Sequence, residues 1–459
     1  MFLLKKCKSL NKKYIHSKSL SKLEVQNITS NQVHDILKKN MLVDGYDLVF
    51  DPKKSTGPYI HDSKTDTKYL DMYSFFASSP ISFNHPKLNN DEFKKEIGEI
   101  AIHNPANPDT YTKELAQFVA TFERVFMPEG FNHLFLISTG TLAVENALKV
   151  AFDWKTRKNG SIPEAKDVIH FKEAFHGRSG YTLSLTNTDP TKYKYFPLFM
   201  WPRINNPKIK FPMLGDNLKN VINAENLALT HINKLLNACP KSIASIILEP
   251  IQGEGGDNHF RPEFWQNLRK LADDHDVLLI ADEVQSGMGL TGKLWAYEHM
   301  GASPDIICFG KKSQVCGIMC NSRIDDVKDN VFKVPSRINS TWGGNLVDMV
   351  RSKKMIEIIE EEDLVNNASI VGTYLLNKLY ELADIFPDKM SNVRGKGLMC
   401  AFDLQNKEAC EKLLNLSYEN KLLIISCGIN SIRLRPVLDI TKKDIDRLID
   451  ILYICFMKL

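Results

Sequence analysis

Short apolar runs recur along the chain and are separated by segments with helical periodicity. Ile243–Leu248, Val277–Ala281 and Ile306–Phe309 are almost wholly apolar, which predicts strands covered on both faces. Between the first two, Pro262–His275 places Phe264, Leu268 and Leu271 on one helical face, with Pro262 suited to the first turn. Leu134–Ile137 and Val168–Phe171 predict two further strands. The first leads through Ser138-Thr139-Gly140-Thr141 into a helix whose buried stripe is Val144, Ala147, Leu148 and Ala151. Strands alternating with helices predict an α/β fold with a mainly parallel sheet.

The flanking segments differ in character. MLVDGYDLVFD and GPYIHDSKTDTKYLDMYSFFASSP predict short strands with turns at Asp44-Gly45 and Asp62-Ser63, and 92–128 is helix-rich. Residues 190–235 read as loop-rich. Leu346–Glu361 and Ile370–Ala383 predict amphipathic helices, VRGKGLMCAFDL and SIRLRPVLDI strands, and Thr441–Met457 a closing helix. The expected division is a basic extension (1–28), an N-terminal part of a small domain (29–90), a large domain (91–345) and a C-terminal part of the small α+β domain (346–459).

Composition narrows the field. A chain of 459 residues is long enough for two domains, and 43% hydrophobic with 25% charged residues is ordinary for a globular protein. A formal net charge of +4 gives no case for nucleic-acid binding. No apolar run approaches the ~20 residues of a membrane span. Nine cysteines are scattered, and Cys308, Cys400 and Cys455 sit in apolar runs, which predicts reduced, buried thiols. Cys316 and Cys320 lie four apart without a second pair, so no metal site is expected. Met1–Lys22 holds seven lysines and no acid, with Leu3, Cys7, Leu10 and Tyr14 on one helical face. That fits a mitochondrial presequence or a plain basic tail, so cytoplasm and mitochondrial matrix both stay open.

The candidate chemistry stands at the strand ends. Glu249, Asp282 and Lys311 each follow one of the three apolar runs, and ligands of such sheets gather at the carboxyl ends of the strands. Alone, Asp282 could cap a turn and Lys311 could be a surface cation. Together, beside the glycine-rich QGEGG loop, they suit pyridoxal phosphate (PLP), a cofactor held by a lysine and partnered at its ring nitrogen by an acid. Gly140 and Thr141 open a helix, where free amides and the helix dipole favour a phosphate; Ser138 or Thr139 can cap the same helix.

ADEVQSG, TGKLWAYEHMG and PDIICFGKK resemble the class III PLP-dependent aminotransferases over roughly residues 30 to 459. EPIQGEGGDNHFRPEFW, AFHGRSGYTLSLTNT, FGKKSQVCG and NSTWGGN look closest to the L-lysine 6-aminotransferase branch of that family. The resemblance implies fold type I, transfer of the ε-amino group of L-lysine to 2-oxoglutarate, and a homodimer with shared sites. It implies Lys311 as the cofactor-linking lysine, with Lys312 as the rival, and Asp282 at the ring nitrogen, supported by Glu249. Gln285 would touch the ring's phenolic oxygen, Phe175 would stack on the ring, and Thr341 would reach the phosphate across the dimer interface. Arg178 would bind the substrate carboxylate farthest from the reacting amine, and its planar fork suits that task. Arg433 would bind the second carboxylate of glutamate or 2-oxoglutarate and pair with Glu254 when lysine is bound; Arg435 is the alternative one alternation along. Another ω-aminotransferase, acting on ornithine or 4-aminobutyrate, and a non-catalytic PLP-binding protein are the competing readings.

Overall fold

The structure is a computed structural model and describes residues 21–162 and 164–459. Residues 1–20, on which most of the targeting expectation rests, lie outside the described residues.

A seven-stranded sheet forms the centre. Its strands lie in the order Phe131–Ile137, Cys316–Asn321, Ile306–Phe309, Leu278–Asp282, Ile243–Leu248, Asp167–Phe171, Arg203–Ile204. Cys316–Asn321 runs antiparallel to both neighbours and the other pairings are parallel, as the apolar runs predicted. Every residue of the three strands at 243–248, 278–282 and 306–309 is buried. Their side chains alternate between two cores: Ile246, Leu279 and Ile307 pack on one face, and Ile247, Ile280 and Cys308 on the other. The helix Gly140–Lys158 covers the second face with Val144, Ala147, Leu148 and Ala151. Each fully buried aliphatic side chain of this kind contributes roughly 1.5–3 kcal/mol, so the strands that carry the site are held firmly.

Smaller sheets flank the centre. Ser391–Lys396, Met399–Asp403, Ser431–Leu434 and Ile425–Cys427 form an antiparallel sheet, on which the helix Leu364–Ile385 packs. Tyr59–Asp62 and Thr67–Asp71 form a hairpin extended by Leu422–Leu423, so the N-terminal segment folds beside the C-terminal one. The QGEGG segment is the tip of a third hairpin, Ile251–Gln252 with Asn258–His259.

Three expectations are corrected. The stretch 41–51 forms no regular strand and makes one isolated bridge, Phe50 with Asp62. Its aromatic residues instead pack edge-on, Tyr46 on Tyr73 and Phe50 on Phe75, while Leu42 is 85% exposed. Within 190–235 the structure holds a long helix, Gly215–Ala238. Its buried stripe of Val221, Ala228, Ile232 and Leu236 is narrow and set among asparagines, so polar composition masked the period. The helix expected at Ile370–Ala383 begins earlier, at Leu364.

Between the N-terminal hairpin and the rest, Ser74, Phe75, Phe76 and Ala77 are consecutive left-handed residues, with φ of 41°, 53°, 59° and 67°. Such a conformation costs roughly 1–2 kcal/mol per residue, and polar bonds offset it. Asp71 Oδ1 accepts from the amides of Tyr73 and Ser74, and Ser74 Oγ donates to the Arg435 carbonyl. Lys312 Nζ donates to the Ala77 carbonyl and Gln314 Nε2 to that of Ser78, which ties the turn to the residues following Lys311.

Candidate active site

The carboxyl ends of the central strands open on a cavity of about 220 Å³. Of the residues singled out in the sequence, Gly140, Thr141, Phe175, Glu249, Asp282, Gln285 and Lys311 all line it. Thr139, not Ser138, caps the helix at one end, its hydroxyl accepting from the Leu142 amide at 3.3 Å. A side chain at Gly140 would meet Val284 Cγ1 at 2.8 Å, so glycine lets the helix start close to the cavity wall.

Asp282 is the last residue of its strand. Its Oδ1 accepts from the Val284 amide at 3.1 Å and its Oδ2 pairs with His176 Nδ1 at 2.7 Å. Burial opposes a charged His176, but the hydrogen bond to Asp282 and the negative charges of Asp282 and Glu249 outweigh it and raise the imidazole's pKa. The other ring nitrogen, Nε2, is buried without a partner. The AFHGR run gives no sign in the sequence that His176 partners Asp282. Its place after the buried strand Asp167–Phe171 was the available signal.

Glu249 bridges two turns: Oε1 accepts from the Phe175 amide at 3.0 Å and Oε2 from the Gly253 amide at 3.1 Å. Burial pushes its pKa up to about 7, with the nearby Asp282 charge adding to the rise. A Cβ at Gly253 would lie 2.1 Å from Gln285 Oε1, so a larger residue there would displace the Gln285 amide.

Lys311 follows the strand Ile306–Phe309 through Gly310 and adopts φ of 55°, a left-handed conformation unusual for a lysine. Burial lowers its pKa to about 8; Arg433 and Arg435 act in the same direction, against Asp282 and Glu249. Lys312 does not line this cavity. It is buried on the far side of the turn, with its Nζ on the Ala77 carbonyl.

Two buried arginines from the strand Ser431–Leu434 and its extension stand beside the cavity, and each has its own carboxylate. Arg433 Nη2 donates to Glu254 Oε2 at 2.6 Å and Nη1 to Gln285 Oε1 at 3.1 Å. Arg435 pairs with the buried Asp257. The geometry therefore separates the two candidates and puts Glu254 with Arg433.

Four expected residues lie outside the cavity lining: Glu254 and Arg433, paired beside it, and Arg178 and Thr341. Arg178 is exposed, next to the lining residue Gly177. Thr341 is exposed on a loop fastened by Asn107, whose Nδ2 donates to the carbonyls of Trp342 and Gly344. Among the described residues no helix is long and apolar enough to cross a membrane.

Residues 42–456 match the Aminotransferase class-III family, and the chain belongs to it. The L-lysine-epsilon aminotransferase of Mycobacterium tuberculosis is 48% identical over 423 residues, covering 91% of this chain and 94% of that protein. The 4-aminobutyrate aminotransferase of Schizosaccharomyces pombe is 32% identical, covering 87% and 89%. Among solved structures, a lysine aminotransferase from M. tuberculosis superposes with a TM-score of 0.90 at 46% identity, covering 93% of this chain and 98% of that one.

Proposed function

We propose that this aminotransferase uses pyridoxal phosphate to move the ε-amino group of L-lysine to 2-oxoglutarate, giving 2-aminoadipate 6-semialdehyde and L-glutamate. The residues present fit that cofactor. The cavity offers an amine for a carbonyl carbon, a carboxylate for a ring cation, an aromatic ring for stacking, and a helix N-terminus for a phosphate. When bound, the cofactor supplies an electron-poor ring that carries the amino group between donor and acceptor.

Lys311 Nζ would hold the cofactor and supply the base that moves the proton at the reacting carbon. A pKa lowered to about 8 leaves part of the amine neutral, as both tasks demand. Asp282 is fixed by His176 and the Val284 amide, so its carboxylate is preorganised and would partner the ring nitrogen of the cofactor. Phe175 would stack on the ring and Gln285 would meet its phenolic oxygen, while Glu249 holds the turns that carry Phe175 and Gly253. Gly140 and Thr141 receive the phosphate. The working unit on this reading is a homodimer, in which the exposed Thr341 would reach that phosphate in a second copy.

Arg178 would take the α-carboxylate of lysine at the far end, which presents the ε-amine to the cofactor beside Lys311. The observation that carries the choice of substrates is the Arg433–Glu254 pair. Glu254 neutralises Arg433 while lysine's methylenes lie against it, and gives way when the carboxylate of a dicarboxylic acid arrives. The relatives' substrates support the same choice, since the lysine enzymes stand well above the 4-aminobutyrate enzymes in identity. Measuring both half-reactions with lysine, ornithine, 4-aminobutyrate and glutamate tests it. Lysine and glutamate should turn over fastest, and faster turnover of ornithine or 4-aminobutyrate would replace lysine as the donor.

A further inference from the structure

Glu254 is shared between two cations. Its Oε2 accepts from Arg433 Nη2 at 2.6 Å and its Oε1 from Lys192 Nζ at 2.7 Å. Lys192 ends a one-turn helix, Pro190–Lys192, which Asp189 caps by accepting from the Thr191 amide. The turn is pinned by Asn187, whose Oδ1 accepts from the Glu173 amide and whose Nδ2 donates to the carbonyls of Phe171 and Leu185. Lys192 Nζ also donates to Thr188 Oγ1 at 2.9 Å and lies 5.2 Å from the centroid of the Phe175 ring. With 13% of its side chain exposed, it is a lysine built into the cavity edge, not a solvated one.

We propose that Lys192 is a specificity-determining residue that retains Glu254 when a dicarboxylate takes its place on Arg433. The proposal rests on the two-substrate exchange described above. With lysine bound, Glu254 already neutralises Arg433, and Lys192 is a spectator at the rim. With a dicarboxylate bound, the incoming carboxylate occupies Arg433 and the displaced Glu254 becomes a second anion close by. Two anions facing Arg433 alone would leave one uncompensated in a partly buried place, which is costly. Lys192 makes the count two against two, and its bond to Oε1 already exists before the exchange. Thr188 and the Phe175 ring keep the ammonium in position while Glu254 moves. Replacing Lys192 should therefore weaken the dicarboxylate state and spare the lysine state.

The test uses the holoenzyme and glutarate, a dicarboxylate with no reacting group, alongside the two half-reactions. Lys192→Met should weaken glutarate binding about tenfold, because the displaced Glu254 is left without a cation of its own, and slow the glutamate half-reaction similarly. The lysine half-reaction should stay within about twofold. Lys192→Arg should restore the glutarate affinity. In a Glu254→Ala background, Lys192→Met should add no further loss, because there is no displaced anion to hold. Equal slowing of both half-reactions by Lys192→Met would make the residue merely structural and overturn the proposal. An undiminished loss of glutarate in the Glu254→Ala background would overturn it too, by showing that Lys192 acts as a free charge. If Glu254→Ala itself fails to separate the half-reactions, the exchange at Arg433 is wrong. If it separates them and Lys192→Met does not, only the role of Lys192 falls.

Discussion

Arg433 and Glu254, 179 residues apart in the chain, meet at the cavity edge with Arg433 Nη2 on Glu254 Oε2 at 2.6 Å. The arginine is 2% exposed, so its charge depends on that carboxylate and on the Gln285 oxygen for compensation. Removing one partner of a buried pair leaves the other uncompensated, at a cost that exceeds the net value of the pair.

The pair should therefore respond asymmetrically. Glu254→Ala is expected to slow the lysine half-reaction about a hundredfold and the glutamate one far less; Arg433→Ala is expected to do the reverse. Stopped-flow absorbance with each amino donor reads both. Equal losses for both donors in both variants would reduce the two residues to supports of the fold.

Lys311 and Lys312 are adjacent, the first half-buried and the second buried, and only Lys311 faces the cavity. Lys311→Ala should abolish turnover and the visible absorbance of the covalently held cofactor. Lys312→Met should keep both and lower the melting temperature, because the Ala77 carbonyl of the left-handed turn loses its donor. A colourless Lys312→Met protein would exchange their roles.

Burial brings the Lys311 pKa to about 8, against ~10.4 for a free lysine. The neutral amine is the reactive form, and its fraction grows as pH rises through the pKa. In protein stripped of cofactor, the rate of covalent cofactor capture should rise with pH, reach half its plateau near pH 8, and level off above. A midpoint near that of free lysine would show that the burial does not act on the amine.

Asp282 joins the site to His176, whose Nδ1 lies 2.7 Å from Oδ2. In Asp282→Ala, burial acts on His176 with its main counterion gone, so the imidazole pKa should fall, followed by histidine resonances in an NMR titration. Single-turnover rates should drop about 10²–10³-fold, the usual effect of losing one preorganised charge. A rate close to that of the unmodified enzyme would remove Asp282 from the ring nitrogen.

What the sequence revealed and what it hid follow from how each feature is encoded. The strands at 243–248 and 306–309 were legible to the residue because burial on both faces leaves an unbroken apolar run. The cavity lining was legible because Asp282 directly follows such a run and Lys311 follows another through Gly310, and strand ends are where these sheets bind ligands. Arg433 and Arg435 could not be separated by pattern, since a period of two puts both on one face. Only their partners, Glu254 and Asp257, tell them apart. His176 and Lys192 lie in turns without any period, and their partners are 106 and 62 residues away, so no local signal announced either pairing. The helix Gly215–Ala238 was hidden by its own polar faces.

The amino group leaves from the end of lysine farthest from its carboxylate. Lysine labelled with heavy nitrogen at the ε position, incubated with 2-oxoglutarate and the enzyme, should yield glutamate carrying the label, while lysine labelled at the α position should yield unlabelled glutamate. Label reaching glutamate from the α position instead would contradict the account, because Arg178 would then hold the wrong end of the substrate.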